Sequence, residues 1–212
     1  MPNWCLNTVE FEGTPEQIEK IHKAAQTGKL FHALVPMPDA LEDTVNGSES
    51  AKPEWQIKTS GKLKMAHGAD NWYDWNIQNW GTKWDTGELG IDSYSSDHIQ
   101  LSFDTAWSPP IRFYEELYEQ MNADCEDMGA PDFHIRATYY EPGCDFTGVW
   151  EDGDDRCYGL HGEDDDFFEN DEDGQLIDAH YGILDQRVED RAEEMEEVQE
   201  WYEDGKKELN LA

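Results

Sequence analysis

The chain has 212 residues and a formal net charge of −34, from 49 acidic and 15 basic side chains, with 12% aromatic residues. This charge repels nucleic acid and anionic membranes, because binding either one requires cationic side chains that neutralise phosphates. The chain has no run of about 18 apolar residues to span a bilayer, no secretory signal at its start and only four cysteines. We therefore expect a folded, reduced, cytoplasmic protein that binds neither nucleic acid nor membrane.

The first two elements follow from residue periodicity. Residues 3–13 alternate between the two sides of a predicted strand, and one side carries Cys5, Asn7, Val9 and Phe11. Thr14, Pro15 and Gln17 then predict a helix start, because Thr14 and Gln17 have the spacing of a capping box and proline suits the first helical position.

The next segment, about 31–86, is rich in tryptophan. Four of the nine tryptophans lie in NWYDWNIQNWGTKWD, residues 71–85. The side chains that recur at helical spacing are Tyr73, Ile77, Trp80 and Trp84. This spacing predicts a short helix that ends at Gly81 and packs its aromatic face on a sheet. The alternative is an exposed aromatic platform for bases or a peptide, but Lys83 is the only basic residue in this stretch, so we favour the core.

Further strands and one helix complete the first part of the chain. ELGIDSY and HIQLSFDTAW predict two strands around an SSD turn, and FHIRATYYE and FTGVWED predict two more. A second helix is predicted after Ser108, Pro109 and Pro110. The predicted order is β-α-insertion-β-β-α-β, followed by one more strand.

Three strings carry a family resemblance: MPNWCLN at the start, NWGTKWD at 79–85 and DTAWSPP at 104–110. Together they resemble the YubB-like family of phage and conjugative-plasmid proteins. The resemblance covers roughly residues 1–150 and implies a ferredoxin-like domain and an origin on a mobile element, without an assigned reaction. We therefore predict an α+β, ferredoxin-like domain over 1–150, with a tryptophan-rich helical insertion at about 31–86.

Residues 151–212 are predicted to form an acidic extension. They hold 24 acids and 5 bases, a net charge of −19, against −15 for residues 1–150. The Asp173-Gly174 dipeptide predicts the turn of an acidic hairpin. The rest predicts a long amphipathic helix that docks through Leu184, Val188, Ala192 and Met195.

Metal sites receive little support. Cys144, Cys157, His161 and His180 form a weak candidate set, because they lack the close cysteine pair typical of zinc sites. Residues 169–180 resemble a calcium loop, but Glu169 stands at the first position and His180 at the twelfth, where a bidentate glutamate is needed. We predict no cofactor.

The sequence has no phosphate-binding, nucleotide-binding or metalloprotease motif. His98 and His134 both fall in predicted strands, and such pairs hydrolyse phosphodiesters in the two-histidine phosphoesterases. That pattern requires a hydroxyl residue two places on, where Gln100 and Arg136 stand here. Ordinary strand histidines are the favoured interpretation.

The acidic extension is the remaining functional indication. A rigid array of carboxylates can present a DNA-like surface to a basic protein. The hypothesis is that the chain is non-catalytic and binds a basic, nucleic-acid-handling host protein. It would act as a DNA-mimic-type inhibitor of host defence. Its predicted partner-binding residues are Asp164, Asp165, Asp166, Asp171, Glu172, Asp173, Glu193, Glu194, Glu196 and Glu197. The alternatives are a metal-dependent enzyme, a structural or assembly protein, or a merely solubilising acidic tail.

Overall fold

The computed structural model describes residues 3–123 and 133–210, without the side chains of residues 205 and 207–210. Cys125 lies outside the described residues. The chain divides into two compact units, Met1–Leu160 and His161–Ala212. The first unit therefore extends beyond Trp150, because the strand Asp154–Gly159 pairs with the strand Phe146–Glu151.

The α+β class is confirmed. The first unit contains the strands β1 (Trp4–Glu12), β2 (Gly87–Tyr94), β3 (His98–Ala106), β4 (His134–Glu141), β5 (Phe146–Glu151) and β6 (Asp154–Gly159). Its helices are α1 (Pro15–Ala25), α2 (Leu30–Leu34), α3 (Glu54–His67), α4 (Trp72–Asn79) and α5 (Ile111–Asn122). The strands form one antiparallel sheet in the order β2-β3-β1-β4-β5-β6.

The start of the chain folds as its periodicity predicts. Cys5, Val9 and Phe11 are fully buried on one face of β1, and the capping box between Thr14 and Gln17 opens α1. The buried faces of α1 and α5 pack against this side of the sheet, with α2 beside them. The core that results includes Val9, Phe11, Ile18, Ile21, Leu30, Phe31, Phe103, Phe113, Leu117 and Ile135.

The insertion contains a helix that the sequence did not predict. Residues 54–67 form α3, in which Gln56 is the only buried residue. Its amide accepts a hydrogen bond from the backbone of Val45 and donates to the carbonyl oxygens of Val45 and Asp70. Hydrogen bonds of Gln56, rather than a stripe of apolar side chains, attach α3 to the rest of the unit. Its sequence therefore lacks apolar residues at helical spacing, which is the pattern that predicts a helix.

The predicted tryptophan stripe is wrong in detail. The helix α4 ends at Asn79, so Trp84 lies beyond it and is exposed, as is Ile77. The residues that enter the core are Trp75 and Trp80, whose rings meet edge to face at 5.7 Å. The Trp80 indole N–H donates to the carbonyl oxygen of Val35 at 2.9 Å. Core packing is therefore confirmed for two of the four tryptophans of this segment.

The acidic hairpin predicted around Asp173 and Gly174 is also wrong. The second unit contains α6 (Asp165–Asn170), α7 (Glu172–Tyr181) and α8 (Ile183–Asn210). Asp171 caps α7, and Gly174 lies in its first turn against the backbone of Phe167. A side chain at position 174 would overlap that backbone, so this glycine allows two helices to meet rather than a strand to reverse.

The long helix is present, but its predicted docking is wrong beyond the first turn. Ile183 is buried, whereas Val188 and Met195 are 58% and 74% exposed and Ala192 is also exposed. Leu184 is only half-buried. No helix among the described residues is long and apolar enough to cross a membrane.

The two outer strands of the sheet are irregular or charged. The pairing of β2 with β3 shifts register between Gly87 and Gly90 and again between Ile91 and Ser93. At the other edge, β6 carries consecutive charged side chains from Asp154 to Arg156.

Candidate functional site

Two of the predicted partner-binding carboxylates serve the fold of the second unit. The Asp164 side chain accepts a hydrogen bond from the backbone N–H of Phe167 at 3.2 Å and so caps α6. Asp171 accepts from the backbone N–H groups of Asp173 and Gly174 at 3.0 and 3.3 Å. Both satisfy helix N-terminal donors and interact favourably with the helix dipole. These charges therefore stabilise α6 and α7.

A third carboxylate, Asp165, is neutralised within the unit. Its oxygens lie 2.7 Å from Arg191 and 3.1 Å from Arg187, both on α8. The hydrogen bonds from Arg191 and Arg187 hold the pKa of Asp165 below its usual value. The Arg187 guanidinium also lies 4.6 Å from the centre of the Phe168 ring. The first two basic side chains of α8 are thus directed towards α6.

The opposite side of α8 is a continuous row of carboxylates. At 100° per residue, Glu189, Glu193, Glu196 and Glu200 fall on one face, roughly opposite Arg187 and Arg191. We call these four glutamates the acidic stripe; all four are exposed. Like charges at this spacing destabilise a helix by about 0.2–0.5 kcal/mol per pair. The stripe therefore opposes the stability of α8.

The other predicted acids surround these groups. Glu197 borders the acidic stripe and Glu194 lies nearer the arginine face, both exposed. Glu172 is exposed in the first turn of α7, next to the half-buried Asp173. Asp166 accepts a hydrogen bond from the Asn170 amide at 2.8 Å. The predicted site is thus a capped helix pair plus one strongly acidic helix.

A row of apolar side chains accompanies the acids on α8. Val188, Met195 and Tyr202 share one face, Val198 lies beside them and Trp201 lies about a third of a turn away. All five side chains are exposed. We call these five residues the apolar stripe. Exposed apolar side chains on one face are typical of protein interaction surfaces.

The weak metal candidates do not form a site. Among the residues that the structure describes, no group of three or more His, Cys, Asp or Glu side chains is placed to hold an ion. Cys144 lies in a turn, where its sulfur is 3.6 Å from the Asn3 amide nitrogen, and Cys157 lies on β6. The calcium-loop resemblance of residues 169–180 fails because a helix cannot wrap its carboxylates around one ion.

The two strand histidines lie on either side of one carboxylate. Glu12 is paired with His98 on β3 and with His134 on β4. The His134 Nδ1 lies 2.7 Å from Asp152, and the adjoining groove of about 240 Å³ also contains Glu10 and Glu151. Its predominantly acidic lining disfavours a phosphodiester anion.

The structure contains an exposed aromatic pair that the sequence did not predict. Trp4 on β1 and Trp84 beyond α4 are 44% and 40% exposed, with ring centroids 6.4 Å apart. We call them the tryptophan pair. Lys83 Nζ lies 4.3 Å from the centre of the Trp84 ring. The alternation of β1 predicted that Trp4 faces outward. Its contact with Trp84 could not be predicted, because the two residues lie far apart in the sequence.

The tryptophan pair stands on a network that joins the three strings of the family resemblance. Thr82 donates from its hydroxyl to the carbonyl oxygen of Ala106 at 3.1 Å, and Ser108 donates to that of Gly81 at 2.9 Å. The Trp107 backbone N–H donates to the Asn3 carbonyl oxygen at 3.0 Å. These bonds fix the chain that carries each tryptophan.

Trp107 itself is strained. Its φ of 72° lies in the left-handed region, which is unfavourable for a bulky residue, and its side chain is 49% exposed. Such strain persists only where the surroundings impose it, and it concentrates at functional sites.

Asp104 adjoins the tryptophan pair on the outward face of the sheet. It pairs with Leu6 of β1 and Gly87 of β2. A Cβ placed on Gly87 would lie 3.6 Å from the Asp104 Cβ and 3.8 Å from the Trp4 ring, so both side chains border Gly87. Burial, followed by the nearby charge of Glu88, raises the pKa of Asp104.

Comparisons with known proteins add little. No family model and no curated protein matches the chain. Among solved structures, the chain is similar to the crystal structure of protein api92 from Yersinia pseudotuberculosis, which is assigned to the family DUF1281. The two share 12% sequence identity over 76% of this chain and 95% of that chain, with a TM-score of 0.36. A similarity at this level carries no argument about fold or function.

Proposed function

We propose that the chain is a non-catalytic, cytoplasmic protein that binds a basic, nucleic-acid-handling host protein and inhibits it by mimicking DNA. One observation carries the proposal. Arg187 and Arg191 are directed towards Asp165, while the acidic stripe on the other side of α8 is exposed. The helix thus presents carboxylates to the solvent although it contains basic residues.

The spacing of these charges supports mimicry. Ten acids lie between residues 185 and 204 of α8, where each residue adds about 1.5 Å of length. This gives about one carboxylate per 3 Å, compared with about 3.4 Å per phosphate along one DNA strand. A basic groove that binds a polynucleotide would therefore meet a similar linear charge on α8.

The proposal extends to the fold and origin of the first unit. The strand order β2-β3-β1-β4, with α1 and α5 in the connections, supports a ferredoxin-like arrangement to which β5 and β6 add an edge. With the YubB-like strings, this supports an origin on a phage or conjugative plasmid. Such elements benefit from inhibiting host nucleases, which gives the inhibitor a role in countering host defence.

A structural or assembly role is the second candidate. The exposed apolar stripe of α8 favours it, because two copies could bury these side chains against each other. Charge opposes it, since a second α8 would bring its own acidic stripe into the contact. A basic partner avoids this repulsion, and an apolar patch on its surface would cover the apolar stripe.

The test compares two variants with equal net charge. The first changes Glu189, Glu193, Glu196 and Glu200 to Gln, and the second changes Glu42, Asp43, Glu49 and Glu119, which are exposed elsewhere, to the corresponding amides. Each moves the formal net charge from −34 to −30. Immobilised full-length protein is incubated with bacterial lysate, and bound proteins are eluted by a salt gradient or by duplex DNA.

We expect wild type and control to retain a nucleic-acid-binding protein that duplex DNA displaces. We expect the first variant to bind the same purified protein about tenfold more weakly, with a smaller salt dependence. Binding that duplex DNA does not displace, or equal losses for both variants, would overturn the proposal. A defined dimer in light scattering would favour the assembly role.

A further inference from the structure

The outward face of the first unit contains a surface that the acidic stripe does not explain. Trp4 and Leu6 project from the same side of β1, and Asp104 lies opposite Leu6 on β3. Trp84 adjoins Trp4, so this surface carries two indole rings, one aliphatic side chain and one carboxylate. All three apolar side chains are more than one-third exposed.

Asp104 has no cationic partner in the part of the chain that the structure describes. Among the described residues, no side chain donates a hydrogen bond to Asp104 or forms an ion pair with it. Partial burial weakens its hydration, and Glu88 adds a second negative charge nearby. A carboxylate in such a place interacts favourably with any cation that brings its own donors.

One ring of the tryptophan pair, that of Trp84, already lies against a cation. Lys83 Nζ lies 4.3 Å from the centre of the Trp84 ring and 6.0 Å from that of Tyr73. The Asn76 side chain donates to the Lys83 carbonyl oxygen at 3.0 Å, which helps to fix this loop. The surface is therefore preorganised rather than formed on binding.

We propose that Trp4, Trp84 and Asp104 together bind one arginine side chain of a protein partner. The guanidinium plane stacks on the indole rings, while two of its N–H groups donate to the Asp104 carboxylate. Leu6 covers the aliphatic part of the side chain. The inference rests on the proposed function, because a basic partner supplies the arginine.

Arginine fits this surface better than lysine. Its planar guanidinium stacks on aromatic rings and donates two parallel hydrogen bonds to a carboxylate, and it is less strongly hydrated than an ammonium group. A nucleotide base could also stack on the rings, but Asp104, Glu88 and the net charge of −15 over residues 1–150 repel its phosphate.

The test uses small probes and needs no identified partner. Nα-acetyl-arginine methylamide is titrated into full-length protein with ¹⁵N-labelled tryptophan, and the indole N–H resonances are followed by NMR. The blocked lysine amide is titrated in parallel at equal ionic strength. We expect saturable shifts at Trp4 and Trp84, none at the buried Trp75 and Trp80, and about threefold weaker binding of lysine.

Three variants complete the design. Asp104→Asn should weaken arginine binding about tenfold, because the charge-assisted hydrogen bonds between the guanidinium and the carboxylate are lost. Trp4→Leu, which keeps the apolar contact but removes the indole, should remove the preference for arginine over lysine. Asp92→Asn is the matched control, since it removes one exposed carboxylate from the neighbouring strand β2.

Each outcome decides the inference. Shifts that do not saturate below about 100 mM, or that Asp104→Asn and Asp92→Asn reduce equally, would overturn it, because generic attraction of a cation to an acidic protein explains both. The result is independent of the lysate experiment. If the NMR titration shows an arginine site but the lysate yields no partner that DNA displaces, the proposed function alone is contradicted. If the lysate yields such a partner but the titration shows no arginine site, this inference alone is contradicted.

Discussion

Replacement of Asp70 by Asn should destabilise the first unit. Asp70 is buried between α3 and α4, and its carboxylate accepts hydrogen bonds from Lys52 at 3.0 Å, from the Ser60 hydroxyl and from the Asn71 amide at 3.0 Å. Lys64 lies 3.8 Å away. Burial alone would raise the pKa of Asp70, but the bonds from Ser60, Asn71 and Lys52 outweigh it and hold the pKa well below its usual range.

The magnitude follows from these contacts. An asparagine offers one oxygen instead of two, so its amide group must face at least one of the three donors. The side chains of Asp70 and Lys52 are only 4% and 14% exposed, so the substitution breaks a largely buried ion pair. Such losses cost about 3 kcal/mol, between the values for a charge-assisted hydrogen bond and for a broken buried ion pair.

The effect should depend on pH with a defined sign. A carboxyl group whose pKa is lowered by folding contributes stability above its unfolded pKa of about 3.9 and loses this contribution as the pH falls towards the folded value. The difference between wild type and Asp70→Asn should therefore be complete above about pH 5 and shrink below pH 4.

Urea unfolding followed by tryptophan fluorescence measures this difference at several pH values. The control is Asp43→Asn, an exposed residue with the same charge change, which should differ from wild type by less than about 0.5 kcal/mol. A loss for Asp70→Asn below that limit at neutral pH, or one that persists unchanged at pH 3, would refute the reasoning.

Three further changes have defined outcomes. Gly148→Ala should destabilise the first unit by about 3 kcal/mol in urea unfolding, because the new methyl group would overlap the Tyr139 phenol and the Arg156 carbonyl oxygen; a neutral effect would contradict this packing. Trp80→Phe should cost about 2 kcal/mol, because the Val35 carbonyl oxygen loses its donor, and Trp84→Phe, at an exposed position, is the comparison. Neutralising the acidic stripe should stabilise α8 by about 1 kcal/mol, from three like-charge pairs, seen as slower amide exchange in that helix; unchanged exchange would contradict the helical placement of the stripe.

The strand β1 and the helix α5 could be predicted because their side chains follow the period of their own secondary structure. Cys5, Val9 and Phe11 alternate on β1, and the buried face of α5 recurs at helical spacing. Both elements bury one apolar face against the same core, so local pattern and tertiary environment agree. Gly13 and the capping box at Thr14 mark the boundary between strand and helix.

The insertion was less readable because its contacts are polar and distant in sequence. Gln56 bonds to Val45 and Asp70, and Asp70 bonds to Lys52 and Ser60. Val45 takes part only through its backbone, and the other residues are polar, so together they create no periodic apolar signal. A buried glutamine that satisfies several backbone groups can be recognised only when its partners are known.

The second unit shows how the same residues support two local structures. Asp173-Gly174 is typical of a hairpin turn, but the Asp171 carboxylate caps a helix and Gly174 permits its close approach to Phe167. The choice depends on contacts between helices that no short-range pattern contains. The tryptophan pair and Asp104 were missed for a related reason, because strand register brings together residues from β1, the loop after α4 and β3.

The irregular β2 and the charged β6 have a consequence for behaviour at high concentration. An incoming strand would meet displaced backbone groups beside Gly87 and Gly90 at one end of the sheet, and the side chains of Asp154, Asp155 and Arg156 at the other. Natural proteins use both devices to prevent extension of a sheet by a foreign chain. Both edges of the described sheet therefore disfavour pairing with a strand of another molecule, and we expect a partner to contact side chains rather than to extend the sheet.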